Sequence, residues 1–354
     1  MERRTFLRLA AISGVGLFIL PGRSGSGLFA APYKTRVVII RNKQMRNSEG
    51  KTRPNDQQVG QVGRIEVKQT VYEALRSLSD GNSGDELLQS IISPKDTVGI
   101  KVNTYLGDKN NSTRPEVAYG LAEFLIKAGV KENNVIIWDR AADEMEQAGY
   151  TIKESKVDIR CLATNTRRVQ RLSKPMTGFD DSPVTIGSAQ TRVSNIASRM
   201  CTVLVNMPSL KTFKFKEHTG VSNAIMNMYG AVEITDENTR ALYDKDCNPG
   251  AADVYNIKPI KSKTKLVVCD AIYPLYNGGP AEDQRYHWNC NAIIAGLDPV
   301  AVDIVAQGVI QKHRDKVLPD TPPLRSDYLE TCAGQNYRLG IIDLKEIEVI
   351  EKEI

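Results

Sequence analysis

Short runs of four or five apolar residues recur along the chain, separated by segments in which apolar residues return every three or four positions. Continuous runs of that length predict strands buried on both faces, and the three-to-four spacing predicts helices that cover them. Strands are expected at Val37–Ile40, Val98–Val102, Val135–Trp138, Val157–Cys161, Val203–Val205, Leu266–Cys269 and Ala292–Ala295, with Ile347–Ile350 as a closing edge strand. Helices are expected where Val67, Val71, Leu75 and Leu78 recur, at Arg114–Ala128 with Gly129 as its stop, at Val221–Tyr229 with Gly230 as its stop, and at Pro299–Lys312. Pro183–Ile186 and Thr191–Val193 flank a turn-forming stretch and predict an inserted β-hairpin. A polar, glycine-containing loop from Asn42 to Gly63 is long enough to serve as a flap or a crossing segment. The fold class is α/β: a mostly parallel sheet with helices on both faces. Residues 31–354 form either one domain or two lobes with a boundary near 155–200.

The first residues break the pattern. Arg3 and Arg4 precede Thr5, Phe6, Leu7 and Arg8, and an apolar segment from Leu9 to Leu20 then ends at Pro21 and Gly22. This is the layout of a twin-arginine signal peptide over residues 1–30, with small residues for cleavage near Ala30. Gly14 and Gly16 interrupt an apolar run that already falls short of the about 20 residues needed to span a bilayer. The expected location is the periplasm or another extracytoplasmic space, reached with the twin-arginine export machinery as a partner and with no membrane span left after cleavage.

Charge and cysteines narrow the function classes. The formal net charge is +5, and loss of residues 1–30 lowers it to +2, too little for a nucleic-acid binder. The six cysteines, Cys161, Cys201, Cys247, Cys269, Cys290 and Cys332, never fall close together, so no iron–sulfur, zinc-ribbon or haem-attachment motif is present. Cys269 sits in an apolar strand and is expected as a buried thiol, whereas loop-like Cys247 and Cys290 are the disulfide candidates.

Candidate chemistry gathers at strand ends. Asn103, Asp139, Asn206 and Asp270 each follow a buried strand, and in a parallel sheet such ends share the edge where ligands bind, although each residue also suits a cap. Lys211 and His218 lie in a basic loop before a helix start, a pattern suited to an anion or simply to solvent. Asn223 and Asn227, four apart, would share one helix face. Thr113 and Glu116 read as a capping box, leaving Arg114 as the ligand-directed group there, and Asp298 reads as an N-cap. Asp303 lies inside the most apolar helix and must be hydrogen-bonded, paired or metal-bound. Gly278 and Gly279 could turn backbone amides toward a ligand or form a plain turn. A divalent metal held by oxygens of Asp139, Asp270 and Asp303 is the one cofactor the residues suggest.

The runs Asn206–Lys211, Thr219–Gly220 with Asn227 and Gly230, Asp270 through Gly278–Pro280, and Asp298–Asp303 together resemble the family catalogued as domain of unknown function 362, over roughly residues 35–345. Members often carry a ferredoxin-like iron–sulfur segment that this chain lacks. The chain also departs from the resemblance at Phe213 and Met226, where members often have His and Lys. The family implies no settled activity. A fainter likeness of Val98–Val102 and Thr113–Pro115 to lactate-racemase-like proteins is a fold-level analogy that implies a two-lobed molecule with a cleft.

The leading expectation is an exported protein that binds a small anionic ligand in a cleft at the carboxyl ends of the strands. Lys211, His218 and Asp270 would do chemistry there, and Asn103, Arg114, Asn227, Gly278 and Gly279 would hold the ligand. The alternative is a non-catalytic binding or assembly factor for a periplasmic redox complex.

Overall fold

β-branched and apolar residues fill twelve strands among the described residues: β1 (Thr35–Arg41), β2 (Val98–Lys101), β3 (Val135–Ala141), β4 (Arg160–Asn165), β5 (Phe179–Ile186), β6 (Ala189–Ser194), β7 (Val203–Asn206), β8 (Ser209–Lys214), β9 (Thr219–Ser222), β10 (Thr264–Leu275), β11 (Ala292–Gly296) and β12 (Ile347–Glu353). The computed structural model describes residues 34–46, 63–79, 83–165, 177–215 and 218–354. The export signal and most of the 42–63 loop lie outside them. Residues Lys34–Ile354 form one compact unit. No helix among the described residues is long and apolar enough to cross a membrane.

The main sheet has the order β12-β1-β11-β10-β7-β2-β3-β4. Strands β10, β7, β2, β3 and β4 pair in parallel, and so do β1 and β12. Strand β11 is antiparallel to both its neighbours, so it alone runs against the others of this order. Alternate residues of each strand enter two cores. Val135 and Ile137 face a layer that includes Val71, Leu121 and Leu125, whereas Ile136 and Trp138 face one that includes Val254, Val302 and Tyr328. Helices Arg64–Leu78 and Pro115–Lys127 cover the first face, and Gly250–Asn256, Pro299–Val317 and Tyr328–Ala333 cover the second. The α/β architecture is the one the apolar runs predict. The inserted hairpin is β5–β6, a separate two-stranded ribbon.

Several local expectations are corrected. Strand β4 begins only at Arg160, because Val157 is exposed. Much of the expected basic loop is strand: β8 runs to Lys214 and pairs antiparallel with β9, Lys211 opposite Ser222. Strand β9 therefore occupies the start of the expected helix 221–229, which is reduced to Ala224–Asn227 and a following tight turn. Asn223 precedes that helix, so it does not share a helix face with Asn227. Cys247 and Cys290 are buried and unpaired, like the other four thiols.

Candidate functional site

The lysine that ends strand β2 finds partners for its charge on the adjacent strand β3 and on the helix Ala224–Asn227. The Lys101 side chain is fully buried, and its Nζ donates to Val102 O at 2.7 Å and Asn227 Oδ1 at 3.1 Å, and pairs with Asp139 Oδ1 at 2.7 Å. Three acceptors, one of them a carboxylate, satisfy the three N–H bonds of an ammonium. Burial pushes the Lys101 pKa down, and the Asp139 charge opposes that shift. Asp139 is itself held by Thr104, whose N–H and hydroxyl donate to Oδ2 at 2.7 and 2.8 Å.

Asparagines extend the network. Asn227 Nδ2 donates to Lys101 O and, at 2.8 Å, to Asn206 Oδ1, while its Oδ1 accepts from Asn103 Nδ2 at 3.1 Å. Asn103 Oδ1 in turn accepts from Lys211 Nζ at 2.8 Å, and Asn111 O accepts a second Lys211 hydrogen bond. Lys211 is as buried as Lys101, but its acceptors are neutral amide oxygens. Burial pushes its pKa down to about 7, against the more distant pull of Asp139, Asp108 and Asp270.

Lys101, Asp139, Asn103, Asn227 and Lys211 share the wall of one cavity of about 90 Å³. Its remaining wall is largely apolar and aromatic, with Tyr105, Phe213, Met226, Tyr229 and Tyr243. Arg140 and Glu144 add a looser pair, 3.7 Å apart and partly open to solvent. Gly230 allows this construction, since a β-carbon there would come within 2.7 Å of both Asp139 Oδ1 and Lys101 Nζ.

The family described as Domain of unknown function (DUF362) matches residues 98–307, more than half of the chain and all of the strands that build this cavity. The chain belongs to the DUF362 family. No curated protein sequence matches this DUF362 chain. A crystal structure of a protein from Thermotoga maritima is similar at 11% identity and a TM-score of 0.41, over 71% of this chain and 59% of that one. The DUF362 chain thus spans less than two thirds of that relative's length.

Two expected groupings are not formed among the described residues of this DUF362 chain. The carboxylates of Asp139, Asp270 and Asp303 each have their own partners, and no group of three or more His, Cys, Asp and Glu side chains among the described residues is placed to hold a metal ion. Asp270 accepts from the Arg114 backbone N–H at 2.9 Å and from its guanidinium at 2.9 and 3.0 Å. It caps the helix Pro115–Lys127 from outside and consumes Arg114, so this pair is a staple between the sheet and that helix. Thr113 does not form the expected capping box, because its hydroxyl donates to Met207 O and accepts from Asn103 N. Asp303 accepts from the backbone N–H groups of Ala224 and Ile225 at 2.7 and 3.0 Å and fixes the start of the turn that carries Asn227.

His218 immediately precedes β9, packed on Phe215 and 3.7 Å from Asp246, and does not line the cavity. Gly278 and Gly279 do not line it either. Both have positive φ, and Gly279 lies so close to Thr212 O that a β-carbon would fall 2.0 Å away. Their turn delivers Pro280 to the cavity wall. Asp298 is the N-cap the sequence implies, accepting from Val300 and Ala301 N–H at 2.9 Å.

Lys101 is the site residue that pattern reading passed over. Its signal was available: a lysine inside the apolar run Val98–Val102 raises the same question of burial that singled out Asp303. Phe213 and Met226, where the chain departs from the family resemblance, both line the cavity.

Proposed function

We propose that this protein is exported by the twin-arginine route and binds a small anionic ligand in the cavity beside Lys211. One observation carries the reading: Lys211 is buried in the cavity wall with only neutral oxygens as partners, whereas Lys101 has Asp139 and Arg140 has Glu144. An arriving carboxylate supplies the missing countercharge. Because burial holds the Lys211 pKa at about 7, such a ligand would draw a proton onto the amine as it binds. The aromatic and apolar wall strengthens that attraction by excluding water and favours an anion with a small apolar body.

Titration calorimetry with a panel of small carboxylates tests the binding part. Measured near pH 8 in buffers of different ionisation enthalpy, the reading requires net proton uptake, lost in Lys211→Met. Binding that neither takes up protons nor depends on Lys211 contradicts it. For export, Arg3→Lys with Arg4→Lys should leave the precursor in the cytoplasm, and unchanged export of that variant would overturn the signal reading.

A further inference from the structure

We propose that Lys211 is a nucleophilic amine that condenses with the carbonyl carbon of a small oxo acid; the inference rests on the reading of the cavity as an anion site. The two buried lysines of the network differ in what they leave free. Lys101 has three acceptors for three N–H bonds and so has no unshared electron pair. Lys211 has two acceptors, Asn103 Oδ1 and Asn111 O. A neutral amine has two N–H bonds, so both are placed and the lone pair is not engaged. An ammonium at the same position would carry a third N–H with no partner, a costly arrangement at a fully buried site.

Two further features of the cavity fit a carbonyl substrate that carries a carboxylate. A desolvated lysine near a second cation is the usual setting for an amine nucleophile at neutral pH, and Lys101 supplies that cation across Asn103 and Asn227. The carboxylate of a small oxo acid lies close to its carbonyl carbon and so meets the same amine, while Arg140, 3.7 Å from Glu144 on the cavity wall, adds positive charge nearby.

The step balances without another reactant. The Lys211 lone pair forms the C–N bond while the C=O π electrons move to oxygen, which takes up a proton to give a carbinolamine. The C–O bond then breaks, and the oxygen leaves as water with both hydrogens that the amine contributed. The resulting C=N nitrogen takes one proton from solvent and becomes the iminium. That cation lies beside the substrate's own carboxylate, so the covalent step keeps the proton uptake of simple anion binding.

The full-length chain is incubated separately with pyruvate, glyoxylate and acetoacetate, reduced with borohydride, and examined by intact-mass and peptide mass spectrometry. Acetate, which has no ketone or aldehyde carbon, serves as the control, and calorimetry follows binding of each compound in parallel. The expected result is one reduced adduct per chain on the Lys211 peptide, absent with acetate and blocked by prior occupancy with it. Because the wild-type map locates the adduct, no variant has to fold. An oxo acid that binds without a Lys211 adduct, or adducts scattered over surface lysines with Lys211 unmodified, overturns the nucleophile while leaving the anion site standing. If none of these compounds binds or reacts, both readings fall.

Discussion

Lys101 Nζ lies 2.7 Å from Asp139 Oδ1 with both side chains shut away from solvent, at the carboxyl ends of adjacent strands β2 and β3. Such a pair adds little net stability, because desolvation offsets attraction, but losing one partner strands a buried charge. Lys101→Met or Asp139→Leu alone should therefore each cost about 3–5 kcal/mol. The double variant should cost clearly less than the two together. Urea denaturation of the four chains measures the coupling, and additive losses would show that the charges do not depend on one another.

Gly230 lies against that pair. Gly230→Ala places a methyl group within 2.7 Å of both charged atoms, and backbone or side chain must shift. The expected loss is about 1–3 kcal/mol of stability, with anion binding weakened more than a distant mutation of equal stability cost would weaken it. Calorimetry on Gly230→Ala and on such a matched control checks this, and equal affinities would refute the link between the glycine and the cavity.

Asp270 is predicted to matter for the fold and not for the ligand. Asp270→Ala leaves the buried Arg114 guanidinium and the start of a helix without their acceptor, at a cost of about 3–5 kcal/mol. At a temperature where the variant remains folded, affinity for the small anion should stay near wild type. Lost binding with an unchanged melting curve would return Asp270 to the site.

Two buried groups set opposite pH trends. Asp303 has its pKa raised by burial from 3.8 to about 7, so the stability it contributes is full below the unfolded value and lost as pH rises through about 7. Lys211 has its pKa lowered from 10.5 to about 7, so its contribution is full above the unfolded value and lost as pH falls through about 7. Relative to wild type, Asp303→Asn should gain stability between pH 4 and pH 7 as pH rises, and Lys211→Met should gain between pH 10 and pH 7 as pH falls. Denaturant midpoints across that range measure both slopes. A wild-type-like slope in either variant would mean that the group titrates normally in the folded chain.

Much of the sheet was legible because continuous apolar runs such as Val135–Trp138 have one good solution, a strand buried on both faces. The β8–β9 hairpin was not, since Lys211 and Lys214 disguise a strand whose polar residues are buried or edge-facing by tertiary contact alone. The strand-end rule brought Asn103, Asp139 and Asn206 toward one network, but spacing along the chain could not tell which carboxylates already had partners. Asp270 with Arg114 and Asp303 with two backbone amides are pairings between residues 156 and 79 positions apart. Sequence distance of that size hides the partner, and the unpartnered acid then looks like a ligand. For Lys101 the apolar run signals a buried charge, but its partner Asp139 lies on the next strand and is not legible from spacing.

Protonation of Lys211 decides whether the cavity is an anion site, and nuclear magnetic resonance of 15N,13C-lysine-labelled chain reads it directly. With the Lys211 signal assigned by its loss in Lys211→Arg, titration from pH 5 to pH 11 should show its Nζ and Cε shifts moving with a midpoint of about 7, displaced upward when a small carboxylate is present. A midpoint near the ordinary 10.5, unmoved by any carboxylate, would contradict the neutral amine and the anion site built on it.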